Sequence, residues 1–357
     1  MESRRRKCCS PRAALLWGFW GFLVFQAAFT VALDRGHPEL YDLEYQRRLT
    51  TLQARQSEAP ERPVLLVLGS SRTLLAFRPE IMPPLATSAG PAVLPFNFSH
   101  YAAGPLFNLM ELRRLLADGV RPTWLVVEVL PAYFAYDGEA WVMLHAALRD
   151  YALLCRYLPA WRLYGDYLKR RVKLAPKFPA EYLRSFLTDW DRPGEESQLT
   201  GVCSLGGCPL LEQEVDEPSR CRRTAAAFGA MGRHLASFQI TPTAERATRE
   251  LLELCQKEGI QAVLVITPEG TEYRTWYSAD AYPRLVRSLT GLCSDYGVPL
   301  VDARDWLMDG EFYDSHHVLE RGALRFTRRL TDDVLRPLVR GRPSNSLLFR
   351  PAVASAP

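Results

Sequence analysis

The most constraining feature of this 357-residue chain is an apolar stretch near its N-terminus. Residues 13–33 contain no ionisable side chain. As a helix, this stretch would be roughly 31 Å long at about 1.5 Å per residue, which matches the hydrocarbon thickness of a bilayer. A cleavable signal peptide is the alternative, but its apolar region is usually shorter, about 7–15 residues, and no clear cleavage site follows here. The stretch therefore predicts one uncleaved transmembrane anchor.

The net charge of the chain is concentrated directly before this stretch. Residues 1–12 hold five basic side chains and one acidic side chain, which together equal the whole net charge of +4. By the positive-inside rule, this cluster places the N-terminus in the cytoplasm. Residues 13–357 are formally neutral, which argues against a general nucleic-acid-binding domain. We expect a single-pass cell-membrane protein with an extracytoplasmic main domain and no nucleic-acid partner.

The remainder of the chain has the pattern of an α/β domain. Short apolar runs alternate with amphipathic helical patterns, and the runs lie at 64–68, 93–98, 124–130, 262–267 and 299–302. Continuous apolar runs separated by helices are typical of parallel strands covered on both faces. The sequence therefore predicts a three-layer α/β fold with a mostly parallel five-stranded sheet. Ligands of such sheets bind at the carboxyl ends of the strands.

These patterns also predict the organisation of the chain. A basic run at 169–177 interrupts the α/β pattern, and it is either a solvated helix face or a contact with anionic lipid or polymer. The expected boundaries are a cytoplasmic tail at 1–12, the anchor at 13–33, a stalk at 34–62, the main domain at 63–340 with a helical insertion at about 138–240, and a disordered tail at 341–357.

Two short motifs carry residue types suited to nucleophilic catalysis. A Gly-Ser-Ser turn that ends at Ser71 follows the first apolar run, and an Asp-Ser-His-His motif that ends at His317 follows the fifth. A serine hydroxyl needs a base within hydrogen-bond reach to act as a nucleophile. A histidine can take that proton, and a carboxylate such as Asp314 can orient the imidazole. On the residues alone, Ser70 and His316 remain alternatives for the two roles.

This arrangement resembles the SGNH/GDSL hydrolase superfamily. The resemblance covers residues 63–340 in outline, with recognisable motifs at the two ends. In that family, the nucleophile follows the first strand and an Asp-x-x-His pair closes the domain. The resemblance implies that Ser71 is the nucleophile and an oxyanion donor through its backbone N–H, and that His317 and Asp314 complete the site. The Gly322-Ala pair beyond His317 is similar to the end of the family's His-Leu-x-x-x-Gly-Ala motif.

The middle of the domain is less similar to that family. The loop after the second run resembles the block that supplies a glycine N–H to the oxyanion hole, which implies Gly104, with Ala102 close behind. After the third run the family has an Asn donor, whereas this chain has Glu128-Val-Leu-Pro. Loss of one such donor typically costs roughly 10²–10³ in rate. The loop after the fourth run, with Glu269 and Arg274, is expected to line the substrate side of the cleft.

An N-terminal anchor with a divergent third block is similar to a membrane-anchored branch that acts on bacterial envelope polymers, in O-acetylation of exopolysaccharide or D-alanylation of teichoic acid. The resemblance implies a serine acyl-ester hydrolase or O-acyltransferase that acts on an acyl-ester or polysaccharide substrate, without a cofactor or metal. A second hypothesis is a catalytically inactive accessory protein, partnered by a multi-span membrane acyltransferase. A third is a metal-dependent hydrolase that uses Asp314, His316 and His317.

Overall fold

The computed structural model describes residues 10–36, 42–86, 90–136, 138–174, 203–207 and 213–341. The chain divides into two compact units. We call the first the anchor unit, which comprises Met1–Leu43 and His145–Arg192, and the second the sheet unit, which comprises Glu44–Leu144 and Pro193–Pro357.

The sheet unit is built around five parallel strands. These are β1 (Val64–Leu68), β2 (Leu94–Asn97), β3 (Trp124–Val129), β4 (Gln261–Ile266) and β5 (Leu300–Asp302). Their order across the sheet is β2-β1-β3-β4-β5, and every neighbouring pair is parallel. Leucine and β-branched residues dominate the strands, as is typical of strands buried on both faces. The predicted α/β fold with a five-stranded parallel sheet is thereby confirmed.

Helices connect and cover the strands. In chain order they are α1 (Pro11–Gly36), α2 (Leu43–Glu58), α3 (Ser71–Ala76), α4 (Pro105–Ala117), α5 (Pro131–Phe134), α6 (Glu139–His145), α7 (Tyr151–Leu154), α8 (Ala160–Leu174), α9 (Glu217–Ala236), α10 (Pro242–Glu258), α11 (Thr271–Arg274), α12 (Ala281–Tyr296), α13 (Glu320–Leu330) and α14 (Arg336–Val339).

The core lies on both faces of the sheet, because successive strand residues point in opposite directions. On one face, strand residues pack with α3, α13 and the turn that follows α13; this cluster includes Val67, Val126, Val265, Phe326 and Leu335. The alternate strand residues Leu66, Leu125 and Leu264 have no exposed surface, and α4 packs against α10. Burial on both faces leaves the strand ends as the accessible part of the sheet.

The segment 34–62, expected to be a stalk, is largely helical. Its second half forms α2, which buries Tyr45, Leu49 and Leu52. The Tyr45 hydroxyl donates a 2.7 Å hydrogen bond to Asp118, the residue that follows α4. These contacts make α2 a packed element of the sheet unit. The expected disordered tail lies outside the described residues except for Gly341.

The anchor unit contains the apolar helix α1. Residues Pro11–Phe29 are long and apolar enough to cross a membrane, and none of this span is buried within the protein. Trp17, for example, is 78% exposed. By length and composition, α1 suits either a membrane anchor or a signal sequence. Among its described residues, the insertion expected at 138–240 contains the helices α6 to α9, whereas residues 203–207 form isolated β-bridges.

Candidate functional site

The position of the site follows from the strand order. The chain leaves β1 for β2 on one side and then returns to β3 on the other side, so the order reverses at β1. In open α/β sheets, such a reversal opens a crevice at the carboxyl ends of the strands. The loop after β2 runs beside the end of β1, because Phe98 N donates to Val67 O and His100 N donates to Gly69 O, both at 2.8 Å.

The two serines after β1 have different environments. Ser70 is the N-cap of α3, its hydroxyl accepts a hydrogen bond from Arg72 N at 3.2 Å, and the residue is 1% exposed. Ser71 is the first residue of the helix and is only partly buried. Its hydroxyl oxygen lies 2.8 Å from His317 Nε2. The capping geometry thus turns Ser70 into the helix and Ser71 towards the histidine.

Gly69 is needed for this sharp strand-to-helix turn. A Cβ atom built on Gly69 would lie 2.6 Å from Glu128 Oε2, 2.7 Å from Glu128 Cβ and 2.8 Å from Thr73 Oγ1. Real Cβ atoms essentially never approach neighbours so closely. A side chain at this position would therefore displace either β3 or the first turn of α3, which carries Ser71.

The histidine is held by a tight turn after β5. Asp314 Oδ1 accepts hydrogen bonds from the backbone N–H groups of His316 at 2.7 Å and His317 at 2.6 Å. Asp314 Oδ2 lies 2.8 Å from His317 Nδ1. Tyr313 N donates to His317 O at 3.0 Å and closes the turn. The Asp314 carboxylate therefore stabilises the turn and orients the imidazole of His317.

The acidic residue of this turn is held in its charged form. Burial alone would raise the pKa of Asp314, but the hydrogen bonds from His317 outweigh it and, with the electrostatic contributions of the adjacent imidazoles, hold the pKa below its usual range. An ionised Asp314 can stabilise an imidazolium at His317.

The two adjacent histidines are distinguished by burial. His316 is 5% exposed, and its ring lies between Tyr273, at 5.2 Å between centroids, and His317, at 4.0 Å. Burial lowers the pKa of His316 well below its usual value, with further contributions from His317 and Arg72. His316 is therefore a neutral packing partner of the imidazole that contacts Ser71.

Asp314, His316 and His317 also have ligand atoms within 4.8 Å of one another, as a metal site would require. In the described geometry, however, His317 directs Nε2 towards Ser71 and Nδ1 towards Asp314. Metal binding through either nitrogen would replace one of these two contacts. The arrangement fits a proton relay through His317 more directly than it fits a metal centre.

The residues expected to form the oxyanion hole lie in the loop between β2 and α4. Ala102 has a positive φ of 53°, a backbone conformation that residues other than glycine rarely adopt. Gly104 is the N-cap of α4 and packs against the ring of Tyr133; a Cβ on Gly104 would lie 3.3 Å from Tyr133 Cβ. The loop is thus close-packed beside α5, at the same end of the sheet as Ser71.

Glu128 lies near the end of β3, where the segment Glu128-Val-Leu-Pro stands in place of the resembled family's block with the Asn donor. Its Oε2 accepts a hydrogen bond from Ser70 N, and its Oε1 accepts one from Thr267 Oγ1 at 2.9 Å. The residue is 7% exposed. Glu128 therefore connects the turn after β1 with the loop after β4 as an acceptor. Sequence reasoning missed this role, although a carboxylate within an apolar strand was a visible signal.

Tyr133, on α5, is a second residue that sequence reasoning missed. Burial and then the Glu128 carboxylate raise the pKa of Tyr133 to about 12, so its hydroxyl stays protonated at neutral pH. Within the described residues, that hydroxyl makes no hydrogen bond. Tyr133 thus brings an uncommitted O–H donor to the end of β3, beside Gly104.

Glu269 lies in a buried ion cluster. It has no exposed surface, and its carboxylate contacts Arg72 at 3.5 Å, Arg304 at 2.7 Å and the Tyr277 hydroxyl at 2.5 Å. Arg72 Nη2 also donates to Thr267 O at 3.0 Å. Buried charges of this kind require such pairing. The cluster fixes the residue after Ser71 to the loop after β4.

Arg274 is directed elsewhere. It is partly buried on α11, and its Nη2 donates to Thr271 Oγ1 on the same short helix at 3.3 Å. The loop that carries it reaches the histidine turn through the backbone, since Gly270 N donates to Ser315 O at 2.9 Å. The structure therefore brings together Ser71, His317 and Asp314, whereas Glu269 and Arg274 do not contact these three side chains within the described residues.

Comparisons with known proteins add a remote structural similarity. No protein-family model matches the chain, and no curated protein matches it. Among solved structures, the chain is similar to the crystal structure of TesA, with 13% sequence identity and a TM-score of 0.33 over 77% of this chain and 99% of that one. The chemistry proposed for the site therefore depends on the site's own contacts.

Proposed function

We propose that the protein is a membrane-anchored serine acyl-ester hydrolase or O-acyltransferase of the SGNH type. One observation carries the proposal: Ser71 Oγ lies 2.8 Å from His317 Nε2, while His317 Nδ1 lies 2.8 Å from Asp314 Oδ2. Two hydrogen bonds in series through one imidazole are the geometry needed to activate a serine.

The chain's own residues supply each step of acyl transfer. His317 takes the Ser71 proton as the hydroxyl attacks the acyl carbonyl, and Asp314 stabilises the resulting imidazolium. The imidazolium then protonates the departing alkoxide, which leaves the acyl group on Ser71. In the second step, His317 deprotonates water or a sugar hydroxyl, which attacks the acyl-enzyme and releases Ser71.

Three donors would stabilise the negative charge that develops on the carbonyl oxygen. The Ser71 N–H belongs to the first turn of α3, where N–H groups have no acceptor within the helix. Gly104 N–H would be the second donor. In place of the absent Asn, we propose the Tyr133 O–H, because it is protonated and makes no other hydrogen bond in the described part of the chain.

The substrate class and location follow from the expected anchor. With residues 13–33 in the membrane and the basic residues 1–12 in the cytoplasm, the sheet unit would face the extracytoplasmic side. Acyl esters on envelope or extracellular polysaccharides are the substrates within reach there. Neither step of the proposed reaction uses a cofactor.

The test is turnover of an activated acetyl ester by the full chain in detergent, with and without a polysaccharide acceptor. Ser71→Ala should lower kcat/KM by at least about 10³-fold, because the attacking atom is removed. Mass spectrometry should find an acetyl group on Ser71 in the wild-type protein.

Ser70→Ala is the matched control, because it removes the neighbouring hydroxyl but leaves the Ser71–His317 contact in place. The Ser70→Ala variant should retain most of the activity. Loss of the N-cap hydrogen bond to Arg72 N should lower the free energy of unfolding by about 1 kcal/mol. Unchanged turnover in Ser71→Ala, or an adduct on Ser70 instead, would overturn the proposal.

A non-catalytic function is the second candidate, and Glu128 is the observation that favours it. An acceptor carboxylate lies in the segment that lacks the family's oxyanion donor, and it accepts a hydrogen bond from the backbone of Ser70, next to the proposed nucleophile. In this case, the protein would be an accessory subunit of a membrane polymer-modifying complex, partnered by a multi-span acyltransferase. Ser71→Ala and His317→Ala chains would then both support polymer modification and co-purify with the partner as well as wild type.

A further inference from the structure

Helix α8 of the anchor unit has an outward face that the proposed function does not use. Trp161 is 78% exposed and Tyr164 is 51% exposed, whereas Leu163 between them is 1% exposed. Tyr167 lies near the buried side, where its ring contacts Tyr151 edge-on at 5.6 Å. The half-exposed Tyr164 also contacts Tyr151 edge-on, at 5.9 Å. The helix therefore packs through one face and presents Trp161 on another.

The sequence continues this outward face along the helix. In the sequence of α8, Gly165, Leu168 and Val172 follow Trp161 at the spacing of one helix face. Basic residues flank this apolar stripe: α8 carries five basic residues and one acidic residue. Among them, the Lys169 side chain is 78% exposed and lies only 3.9 Å from Asp166, an exposed pair that contributes little to stability.

We propose that α8 lies in the headgroup region of an anionic membrane, with its Trp161 face towards the lipid. An apolar stripe that includes an exposed tryptophan and is bordered by cations is the pattern of a helix that lies in the membrane interface. Tryptophan and tyrosine favour this region because one end of the ring is apolar and the other is polar.

The charge of the helix selects an anionic surface over a neutral one. A net charge of +4 on fifteen residues is attracted to acidic headgroups, whereas a neutral bilayer would offer only apolar burial. The same compact unit contains α1, the candidate membrane span. The function assigned to α8 is independent of the chemistry proposed for Ser71.

Trp161 itself can report this contact in the full chain, reconstituted in nanodiscs of phosphatidylcholine with or without phosphatidylglycerol. Brominated acyl chains quench tryptophan on contact, and the difference between wild type and Trp161→Phe isolates Trp161. The difference signal should be quenched in discs that contain phosphatidylglycerol. Quenching should be weaker in pure phosphatidylcholine, and also in about 1 M salt, where the screening length falls to about 3 Å.

A charge-reversal pair tests the electrostatic part. Each basic residue near an anionic surface changes the binding constant about fivefold, so Arg162→Glu with Lys169→Glu should weaken docking markedly and reduce Trp161 quenching. The matched control is Arg246→Glu with Lys257→Glu, which reverses two exposed charges on α10 of the sheet unit and should leave the quenching unchanged.

Three outcomes would overturn the proposal. The first is an unquenched Trp161 in discs that contain phosphatidylglycerol. The second is equal quenching in neutral and anionic discs. The third is amide-exchange protection of residues 160–174 by a soluble polyanion without quenching in either bilayer, which would assign the face to a polymer.

Discussion

Ser70 and Ser71 show how one backbone turn gives identical side chains different chemistry. The N-cap position directs the Ser70 hydroxyl to Arg72 N, while the next position leaves the Ser71 hydroxyl with His317 Nε2 at 2.8 Å. Asp314 distinguishes the two histidines in a similar way, because His317 Nδ1 lies 2.8 Å from its Oδ2, whereas His316 Nδ1 lies 3.4 Å from its Oδ1 and makes no hydrogen bond in the described residues. The local backbone conformation therefore decides which serine contacts which histidine, a choice that the residue types alone leave open.

Gly69→Ala tests how tightly this turn is packed. The new Cβ would meet Glu128 and Thr73 at less than 3 Å, so a shift of the turn is unavoidable. We expect a loss of about 1–3 kcal/mol in unfolding free energy, as for other overpacked sites. Because α3 carries Ser71, kcat should fall more than the folded fraction does. Unfolding and ester turnover should be measured together.

Gly119→Ala is a suitable control for that substitution. Gly119 has φ 86° but nothing within 4 Å of a built Cβ, so alanine there strains the backbone without a steric clash. It should lower stability and leave kcat of the folded protein unchanged. Equal kcat for wild type and Gly69→Ala would contradict the proposed role of the Gly69 turn.

Tyr133→Phe tests the oxyanion donor proposed in place of the absent Asn. The substitution removes one hydroxyl that makes no hydrogen bond within the described residues, so stability should change little. If the hydroxyl binds the developing oxyanion, kcat should fall by roughly 10²-fold while KM stays nearly constant. A steady-state comparison of the two proteins decides this. An unchanged kcat in a Ser71-dependent enzyme would exclude Tyr133 as a donor.

The sequence indicated that Ser71, His317 and Asp314 lie at one edge of the sheet, but it did not reveal the residues around them. Ser71 and the 314–317 motif follow strands whose apolar patterns are strong, so their common edge of the sheet was predictable. The cluster of Arg72, Glu269 and Arg304 could not be predicted from the sequence. Glu269 is 197 positions from Arg72 and 35 positions from Arg304 along the chain. Only the fold brings their charges together.

At the scale of elements, α3 is fixed by a side chain from β2. Asn97 has no exposed surface, and its Nδ2 donates to Thr73 O at 3.0 Å and Phe77 O at 2.8 Å, while its Oδ1 accepts from Ser99 N at 3.1 Å. The amide thus satisfies carbonyl groups at the end of a helix only six residues long.

Asn97→Asp should be more damaging than Asn97→Ala. The aspartate replaces a donor with an acceptor that faces two carbonyl oxygens in a buried position, whereas alanine leaves only the lost hydrogen bonds. We expect the alanine variant to lose about 1–3 kcal/mol and the aspartate variant to lose more. Denaturant unfolding of both variants in the same detergent measures the difference. An aspartate variant as stable as the alanine variant would show that these carbonyls do not need the donor.

The segment before β1 contains buried charges that its sequence pattern does not reveal. Its polar composition indicates a stalk, because α2 contains many charged and polar residues. In the structure, Arg48 is 2% exposed and bonds Glu44, so charged residues contribute to the buried face. Paired charges that become buried cannot be recognised before their partners are known.

At the scale of the molecule, α2 is joined to the carboxyl end of the sheet through the half-buried Glu44 and the buried His100. Glu44 Oε2 lies 2.9 Å from His100 Nε2, and His100 N donates to Gly69 O. The His100 ring packs against Phe107 of α4, with 4.9 Å between centroids. Helix α2 is therefore connected, through His100, to the turn that presents Ser71.

This pair gives the folded chain a specific acid sensitivity. Burial would raise the pKa of Glu44, but the hydrogen bond from His100 and the charge of Arg48 lower it to about 2 from 4.5. A pKa depressed by folding stabilises the protein fully above the unfolded value. This contribution is lost as the pH falls from about 4.5 to about 2. The Glu44→Gln variant should therefore be less stable than wild type above pH 4.5. This difference in unfolding free energy should shrink as the pH falls through that range.

Denaturant unfolding of wild type and Glu44→Gln at several pH values measures the deficit directly. His100→Gln is the partner control, because it removes the principal hydrogen bond to the Glu44 carboxylate. In a chain that already carries His100→Gln, the stability lost through Glu44→Gln should therefore depend less on pH than it does in wild type. Parallel stability curves for wild type and Glu44→Gln between pH 4.5 and 2 would contradict the prediction. They would mean that α2 is held to the sheet unit by its apolar face alone, through residues such as Leu49 and Leu52.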